Sequence, residues 1–131
     1  MIKDLMTPIE RMKAYSEGKE IDRLPCFPFV GSLTAKVVGI NVSQLRESGQ
    51  VLANAHIEAY KTFGYDGLNI YTHLYTVAEA MGAKVIHPID EIPHLDDPLI
   101  NDISEIASLR MPDPYKDGQL PHFIEAVKIA G

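Results

Sequence analysis

The residues best suited to binding chemistry lie in and just after the segment 66–71. Apolar and polar side chains alternate there, so one face of a predicted strand carries Asn69 and Tyr71. His73 follows two residues later. If this polar face lines a cleft, the candidate substrate-binding residues are Asn69, Tyr71 and His73. Packing inside the protein is the alternative for Asn69 and Tyr71.

Cys26 is the only cysteine of the chain. A single thiol excludes an intramolecular disulfide and any zinc site built on paired thiolates from this chain. Cys26 lies in the apolar run 24–30, where a buried, unreactive thiol is expected. We therefore do not count Cys26 as a catalytic residue.

The remaining histidines favour structural roles. His56 lies inside a predicted helix, where a packing or surface position is expected. His122 lies in the first turn of the last predicted helix, where a surface position is expected. His87 and His94 flank an acidic loop that contains Asp90, Asp96 and Asp97. A His/Asp metal cluster is the alternative there, but acidic loops are usually solvated, so the sequence predicts no metal site. Glu79 is expected to have a structural partner.

Length and composition indicate one globular domain. The 131 residues are 46% apolar and 23% charged. The net charge of −6 and the lack of a basic cluster argue against nucleic acid as a partner. The chain has neither a run of about 18 apolar residues nor a signal-peptide core, so no membrane span and no secretion are predicted. We expect a cytoplasmic protein.

Hydrophobic periodicity predicts strands that alternate with helices. The predicted strands cover 26–30, 66–71 and 83–87, and the predicted helices cover 8–17, 31–38, 50–63, 74–81, 103–109 and the stretch from 120 onward. Residues 1–24 form an N-terminal helix and linker, residues 25–131 form the first βα units, and residues 88–101 form a long loop. Alternating strands and helices pair in parallel, so we expect an α/β unit with about three parallel strands.

Several segments, taken in their order and spacing, resemble one family. They are Met6–Met12, Lys19–Pro25, Gly64–Gly67, Ala78–Val85, Pro112–Pro114 and Asp117–Pro121. Together they resemble the N-terminal part of the uroporphyrinogen decarboxylase superfamily over nearly the whole chain. Members of that superfamily are (β/α)8 barrels, which need roughly twice this length or more. The resemblance implies the N-terminal portion of a TIM barrel, an incomplete barrel.

The resemblance also suggests how to separate two branches of the superfamily. The decarboxylases, which make coproporphyrinogen in haem biosynthesis, carry arginines after the first strand because their substrate bears eight carboxylates. They also carry an aspartate after the second strand, which holds the pyrrole N–H groups. Here the segment 29–34 contains no arginine, and His73 occupies the aspartate's position. An imidazole cannot replace an obligate anion, so decarboxylation is disfavoured. In a parallel barrel the residues that follow a strand face the active site, so the barrel implied by the resemblance makes His73 a candidate to line the cleft.

The other branch comprises corrinoid-dependent methyltransferases, which move a methyl group between a corrinoid protein and a thiol. Its Glu-Ala-Met-Gly region resembles Glu79–Gly82. Its zinc ligands, a His-x-Cys pair and a later Cys, would lie beyond residue 131. The resemblance therefore implies zinc, a corrinoid and a corrinoid protein for a complete enzyme, and no cofactor for this chain.

The expected function is that of an N-terminal fragment of such a methyltransferase, inactive alone. Uroporphyrinogen decarboxylase of haem biosynthesis is the first alternative. A non-catalytic oligomeric α/β binding module is the second. Because an opened barrel exposes sheet edges and apolar helix faces, a homo-oligomer is expected.

Overall fold

The computed structural model describes residues 4–71 and 73–131. Its α-helices are α1 Pro8–Ser16, α2 Thr34–Val38, α3 Gly49–Phe63, α4 Thr76–Met81 and α5 Leu120–Ala130. Short 3₁₀ helices cover Gly31–Leu33, Val42–Arg46 and Ile103–Ser108. Two short strands, β1 Val85–Ile86 and β2 His94–Leu95, pair with each other. Within these residues, no helix is long and apolar enough to cross a membrane.

The starts predicted for two helices, at residues 8 and 50, are confirmed to within one residue. Helix α1 begins after Thr7, whose hydroxyl accepts the N–H of Glu10, while the Glu10 carboxylate accepts the N–H of Thr7. This reciprocal pattern satisfies two N–H groups that a helix start otherwise leaves free. Helix α3 begins after Ser48, whose side chain accepts the N–H of Val51, and ends at Gly64. Such ends depend on residues that are close in sequence.

Helix α3 forms the centre of the packing, with α2 and α5 against it. The buried apolar core consists of Ala35, Val42, Leu45, Leu52, Ala53, Ala55 and Ala126. Gly49 allows the close approach of α5, because a Cβ there would lie 2.5 Å from the Cβ of Glu125 and from the carbonyl oxygen of His122. The Gly49 N–H also donates to the Glu125 carboxylate at 2.9 Å. The start of α3 is thereby fixed against α5.

A network of ion pairs attaches α1 to the chain that follows it. Arg11 is fully buried, and its guanidinium contacts Asp22, at 2.7 Å from Nε to Oδ1, and also Asp66. Arg23 donates to the second oxygen of Asp66 at 2.6 Å. The bond from Arg11 holds the pKa of Asp22 well below its usual range. Burial opposes ionisation of Asp66, but its bonds to Arg23, to the Cys26 N–H and to Arg11 together lower its pKa.

The strands differ from the prediction in number and pairing. Of the three predicted parallel strands, the described residues show pairing in the third, where β1 lies within 83–87. Its partner is antiparallel, with Val85 opposite Leu95 and Ile86 opposite His94. That partner, β2, lies inside residues 88–101, which were predicted to form a loop. The two antiparallel strands of a hairpin are close in sequence, whereas two parallel strands are separated by a long crossover connection.

The first two predicted strands lie side by side without forming a ladder. The Cys26 N–H donates to the Asp66 carboxylate at 2.7 Å, and the Cys26 carbonyl accepts the Asp66 N–H at 2.8 Å. Pro25 and Pro28 have no N–H to donate to a ladder. These contacts at Cys26 bring the two segments together in place of the expected strand pairing.

Helix α4 is shorter than predicted. It begins at Thr76, and the predicted apolar stripe is only partly buried, since Leu74 is 84% exposed and Val77 is 57% exposed. Thr72, two residues before the predicted start of this helix, lies outside the described residues. The short helix and the turn before it nevertheless fix the position of His73.

Candidate functional site

His73 lies three residues before the first residue of α4 and is only 4% exposed. Its Nδ1 accepts the backbone N–H of Tyr75 at 3.2 Å, and its carbonyl oxygen accepts the Thr76 hydroxyl at 3.1 Å. Because Nδ1 is an acceptor, Nε2 carries the proton of the neutral ring. Burial lowers the pKa of His73 to about 4, and the nearby Glu79 carboxylate offsets only part of that effect.

Glu79 extends from α4 toward two imidazoles. Its Oε1 accepts Nε2 of His87 at 2.9 Å and a guanidinium N–H of Arg46, also at 2.9 Å. Its Oε2 lies 3.5 Å from Nε2 of His73. His87 follows β1 directly, and the ring centroids of His73 and His87 are 5.3 Å apart. We call His73, Glu79 and His87 the His–Glu cluster.

Each member of the His–Glu cluster has a buried polar atom without a hydrogen-bond partner. These atoms are Nε2 of His73, Oε2 of Glu79 and Nδ1 of His87. An unsatisfied buried polar group costs about 1–3 kcal/mol. One ligand atom from each of the three side chains lies within 4.8 Å of the others. Such an arrangement can hold a divalent metal ion or pass a proton between imidazoles.

Sequence reasoning did not find this cluster. It placed His73 beside a cleft but gave Glu79 only a structural role, and it considered His87 with the acidic loop. The loop residues have other partners in the structure: Asp90 pairs with Lys36, and Asp96 pairs with Lys84. His87 reaches Glu79 because the chain turns after α4 and returns through β1. Spacing along the sequence carries no clear signal of this return.

A cleft of about 690 Å³ opens beside His73. Tyr71 and His73 both line it, whereas Asn69, the third candidate from the sequence, is half-buried and is not among the lining residues. The rest of the wall is formed by Phe29, Val30, Ser32, Leu33, Lys36, Val42, Leu74, Asp90, Glu91 and Ile92. The structure therefore brings two of the three candidates to one cleft.

Tyr71 is fixed in the wall of this cleft by its neighbours. Its ring contacts Phe29 edge-on, with 5.8 Å between centroids, and its carbonyl oxygen accepts Nε2 of His56 at 3.0 Å. His56 is fully buried, and this burial lowers its pKa. A Cβ on Gly31 would lie 2.8 Å from the Tyr71 ring. His56 thus has the packing role expected from the sequence.

A larger cavity, of about 980 Å³, adjoins this cleft, shares Val30, Leu33 and Lys36 with it, and includes Cys26, Phe63 and Tyr65 in its wall. None of the three candidate residues lines it. Cys26 is exposed, so the expectation of a buried thiol is wrong. The physical reason is that 24–30 is not enclosed in a sheet, and Leu24 and Phe29 are also exposed. The smaller cleft is the better candidate because two of the three candidate residues, Tyr71 and His73, line it.

Comparison with solved structures identifies a protein with a similar fold. A methyltransferase from Methanosarcina mazei has a similar structure, with a TM-score of 0.74 and 20% sequence identity. The alignment covers 95% of this chain and 38% of that methyltransferase. At this identity the similarity establishes the fold alone, and it confirms a partial α/β barrel, with fewer strands than predicted.

No curated protein matches the sequence significantly. The family model described as uroporphyrinogen decarboxylase (URO-D) matches residues 7–131. The matched residues include helix α1, the cleft and the His–Glu cluster. Because it extends over nearly all of the sequence, the chain belongs to the uroporphyrinogen decarboxylase (URO-D) family.

Proposed function

We propose that this chain is the N-terminal part of a corrinoid-dependent methyltransferase, which moves a methyl group from a corrinoid protein to a thiol. The orientation of His73 carries the proposal. The resemblance places His73 where the decarboxylases have an aspartate, and its Nδ1 is already occupied by the Tyr75 N–H. The remaining ring nitrogen is an N–H donor, so it cannot accept the pyrrole N–H groups of a porphyrinogen.

The charges around the cleft support the same choice. Its titratable wall residues besides the tyrosine and histidine are Lys36, Asp90 and Glu91, and Lys36 is paired with Asp90. Among the described residues, the wall therefore has no unpaired cation to bind the carboxylates of uroporphyrinogen. Glu91 would repel them. A methyl group and a thiol bring no comparable set of negative charges.

The zinc implied by the resemblance does not fit the residues of this chain. That zinc is held by thiolates, which activate the acceptor thiol when the metal is bound. Cys26 is the sole thiol of this sequence, and it is exposed and does not belong to the His–Glu cluster. We therefore assign no step of thiol activation to residues 1–131.

Under this proposal, the residues of this chain form one wall of the transfer cleft. Phe29, Leu33 and Ile92 supply apolar surface that limits the access of water. Tyr71 is held against Phe29 and supplies a rigid aromatic surface. His73 lies beside them in the cleft wall, and its Nε2 is 3.5 Å from Oε2 of Glu79. These residues bind and orient, and they exclude water, which a methyl transfer needs from its surroundings.

The test uses the protein encoded by the entire reading frame. We expect methyl transfer from a methylated corrinoid protein to a thiol, and no coproporphyrinogen from uroporphyrinogen. The His73→Asp variant should lose much of the methyl transfer, because a carboxylate placed beside Glu79 adds a repelling negative charge. His94→Asn, which changes an exposed histidine, is the control and should keep the activity.

Decarboxylation of uroporphyrinogen by the wild-type protein would contradict the proposal. Absence of both activities in a folded full-length protein would also contradict it. In that case the oligomeric binding module becomes the better description, since Phe29, Leu33, Leu74 and Ile92 are exposed by 67–84% of their surface around the cleft. Its distinguishing property would be self-association.

A further inference from the structure

We propose that the His–Glu cluster is a binding site for one divalent transition metal ion of the zinc type. The site is independent of the proposed methyl transfer and of any thiolate-bound zinc. Two imidazoles and one carboxylate form a donor set that borderline metals such as Zn²⁺ and Co²⁺ accept. Three protein ligands leave one coordination position open.

The distances within the cluster suit such an ion. Metal–ligand bonds of about 2.0–2.2 Å in a tetrahedral site separate the ligand atoms by roughly 3.3–3.6 Å. Oε2 of Glu79 lies 3.5 Å from Nε2 of His73, and Oε1 lies 2.9 Å from Nε2 of His87. One ligand atom from each of the three side chains lies within 4.8 Å of the others, so side-chain rotations can bring all three around one ion.

The unpaired atoms point to a missing ligand. Nε2 of His73 and Oε2 of Glu79 are buried and close to each other, yet neither has a hydrogen-bond partner. His73 itself is more than nine-tenths buried. A metal ion between these two atoms would satisfy both. It would also replace the 3.5 Å contact between these two atoms, which is too long for a good hydrogen bond.

Arg46 supports metal binding by the cluster, whereas the change of tautomer at His73 lowers the metal affinity. Arg46 bonds Oε1 of Glu79, and a carboxylate ligand is commonly held in this way by a neighbouring side chain. The cost arises at His73, because metal binding at Nε2 moves the ring proton to Nδ1. Nδ1 can then no longer accept the Tyr75 N–H. Loss of such support weakens metal binding by about 10–100-fold, so we expect moderate affinity.

The open coordination position places the ion beside the candidate cleft. His73 contributes to both the cluster and the cleft wall. An ion bound there could accept water or an oxygen or nitrogen atom of a small ligand as its fourth partner. We infer that the ligand class is an anionic or carbonyl-containing small molecule, since such groups coordinate zinc readily.

The experiment is metal titration of the 131-residue chain, after circular dichroism has established that each variant is folded. Co²⁺ is the probe, because its visible absorption reports coordination, and Zn²⁺ is added afterwards as the competitor. We expect one equivalent of Co²⁺ to bind, with displacement by Zn²⁺. The Tyr75 amide resonance should shift on binding of diamagnetic Zn²⁺.

Two variants test the ligands separately. Glu79→Gln keeps the shape of the side chain and removes its charge, and His87→Asn removes an imidazole. Each should weaken binding at least tenfold. His94→Asn removes an exposed histidine outside the cluster and should bind as the wild type does. Thermal unfolding gives a second readout, because Zn²⁺ should raise the Tm of the wild type and of His94→Asn only.

The proposal is overturned if the folded wild-type chain binds neither ion. It is equally overturned if Glu79→Gln and His87→Asn bind as tightly as the wild type. If one of these variants fails to fold, the other still decides the outcome. Loss of binding in His94→Asn would place the metal elsewhere and would also reject the His–Glu cluster.

Discussion

At the scale of single residues, the main feature of this chain is a network of buried charged side chains. Arg11 is fully buried, and its partners Asp22 and Asp66 are carboxylates brought from distant parts of the sequence. Removing one partner of a buried ion pair leaves the other charge without compensation. The network therefore makes the stability of the fold depend on pH.

Asp22→Asn should lower the free energy of unfolding at neutral pH. It should also make that free energy depend less on pH in the acid range. The pKa of Asp22 is held below its ordinary value of 3.8 in the folded chain. The ionised form thus stabilises the fold above that value, and the stabilisation is lost as the pH falls below about 4. Urea unfolding at a series of pH values should show a shallower acid slope in the variant than in the wild type.

Asp97→Asn is the control for this prediction, because it removes an exposed carboxylate of the loop. It should leave both the stability at neutral pH and the acid slope close to wild type. An acid slope in Asp22→Asn equal to that of the wild type would show that the Arg11 network does not couple folding to pH.

Gly31 combines two constraints at one residue. Its φ is +43°, and a Cβ would lie 2.8 Å from the ring of Tyr71. Gly31→Ala should therefore destabilise the chain by about 2–4 kcal/mol, through backbone strain and overpacking. Gly18→Ala is the matched control: its φ is +65°, but no atom lies within 4 Å of the added Cβ. Equal losses in urea unfolding would exclude the ring contact as a cause.

At the scale of elements, a structural feature is easier to predict when the residues that form it are close together in the sequence. The start of α1 depends on Thr7 and Glu10, which are neighbours in sequence, and its prediction is confirmed. The predicted parallel strands depend on pairing between distant segments, and only the third became a paired strand, with an antiparallel partner. Local chemistry decides where a helix begins, whereas the partner of a strand is decided by the whole fold.

The contact between α3 and α5 can be tested at Gly49. A Cβ there would meet the carbonyl oxygen of His122 at 2.5 Å, and a backbone atom cannot rotate away. Gly49→Ala should therefore cost about 1–2 kcal/mol even though alanine favours the helix. Gln50→Ala, at the exposed next position, should change stability by less than about 0.5 kcal/mol. Equal stability of both variants in urea would show that α5 can shift freely.

At the scale of the whole molecule, the candidate site also shows the limit of sequence reasoning. His73 could be named because it follows a predicted strand, and Tyr71 because it lies on a polar strand face. Glu79 and His87 could not, because the turn after α4 and the return through β1 bring them to His73. A side chain's role in such a cluster depends on tertiary contacts that periodicity does not contain.

The exposed apolar surface around the cleft leads to the last prediction, that the chain self-associates. Leu74 is 84% exposed, and Phe29, Leu33 and Ile92 are exposed beside it by at least 67%. A contiguous apolar surface of this kind is typically covered by another protein surface. Sedimentation at increasing concentration should show a dimer or a larger species. Leu74→Glu should shift the equilibrium toward monomer by placing a charge within this surface.

Ile103→Glu provides the control for self-association. Ile103 is 79% exposed but does not line the cleft, so the added charge should leave the association constant unchanged. If both variants weaken association equally, net charge rather than the cleft surface is responsible. A wild-type chain that stays monomeric at high concentration would remove the homo-oligomer from consideration, because the exposed side chains would then be stable in water without a partner.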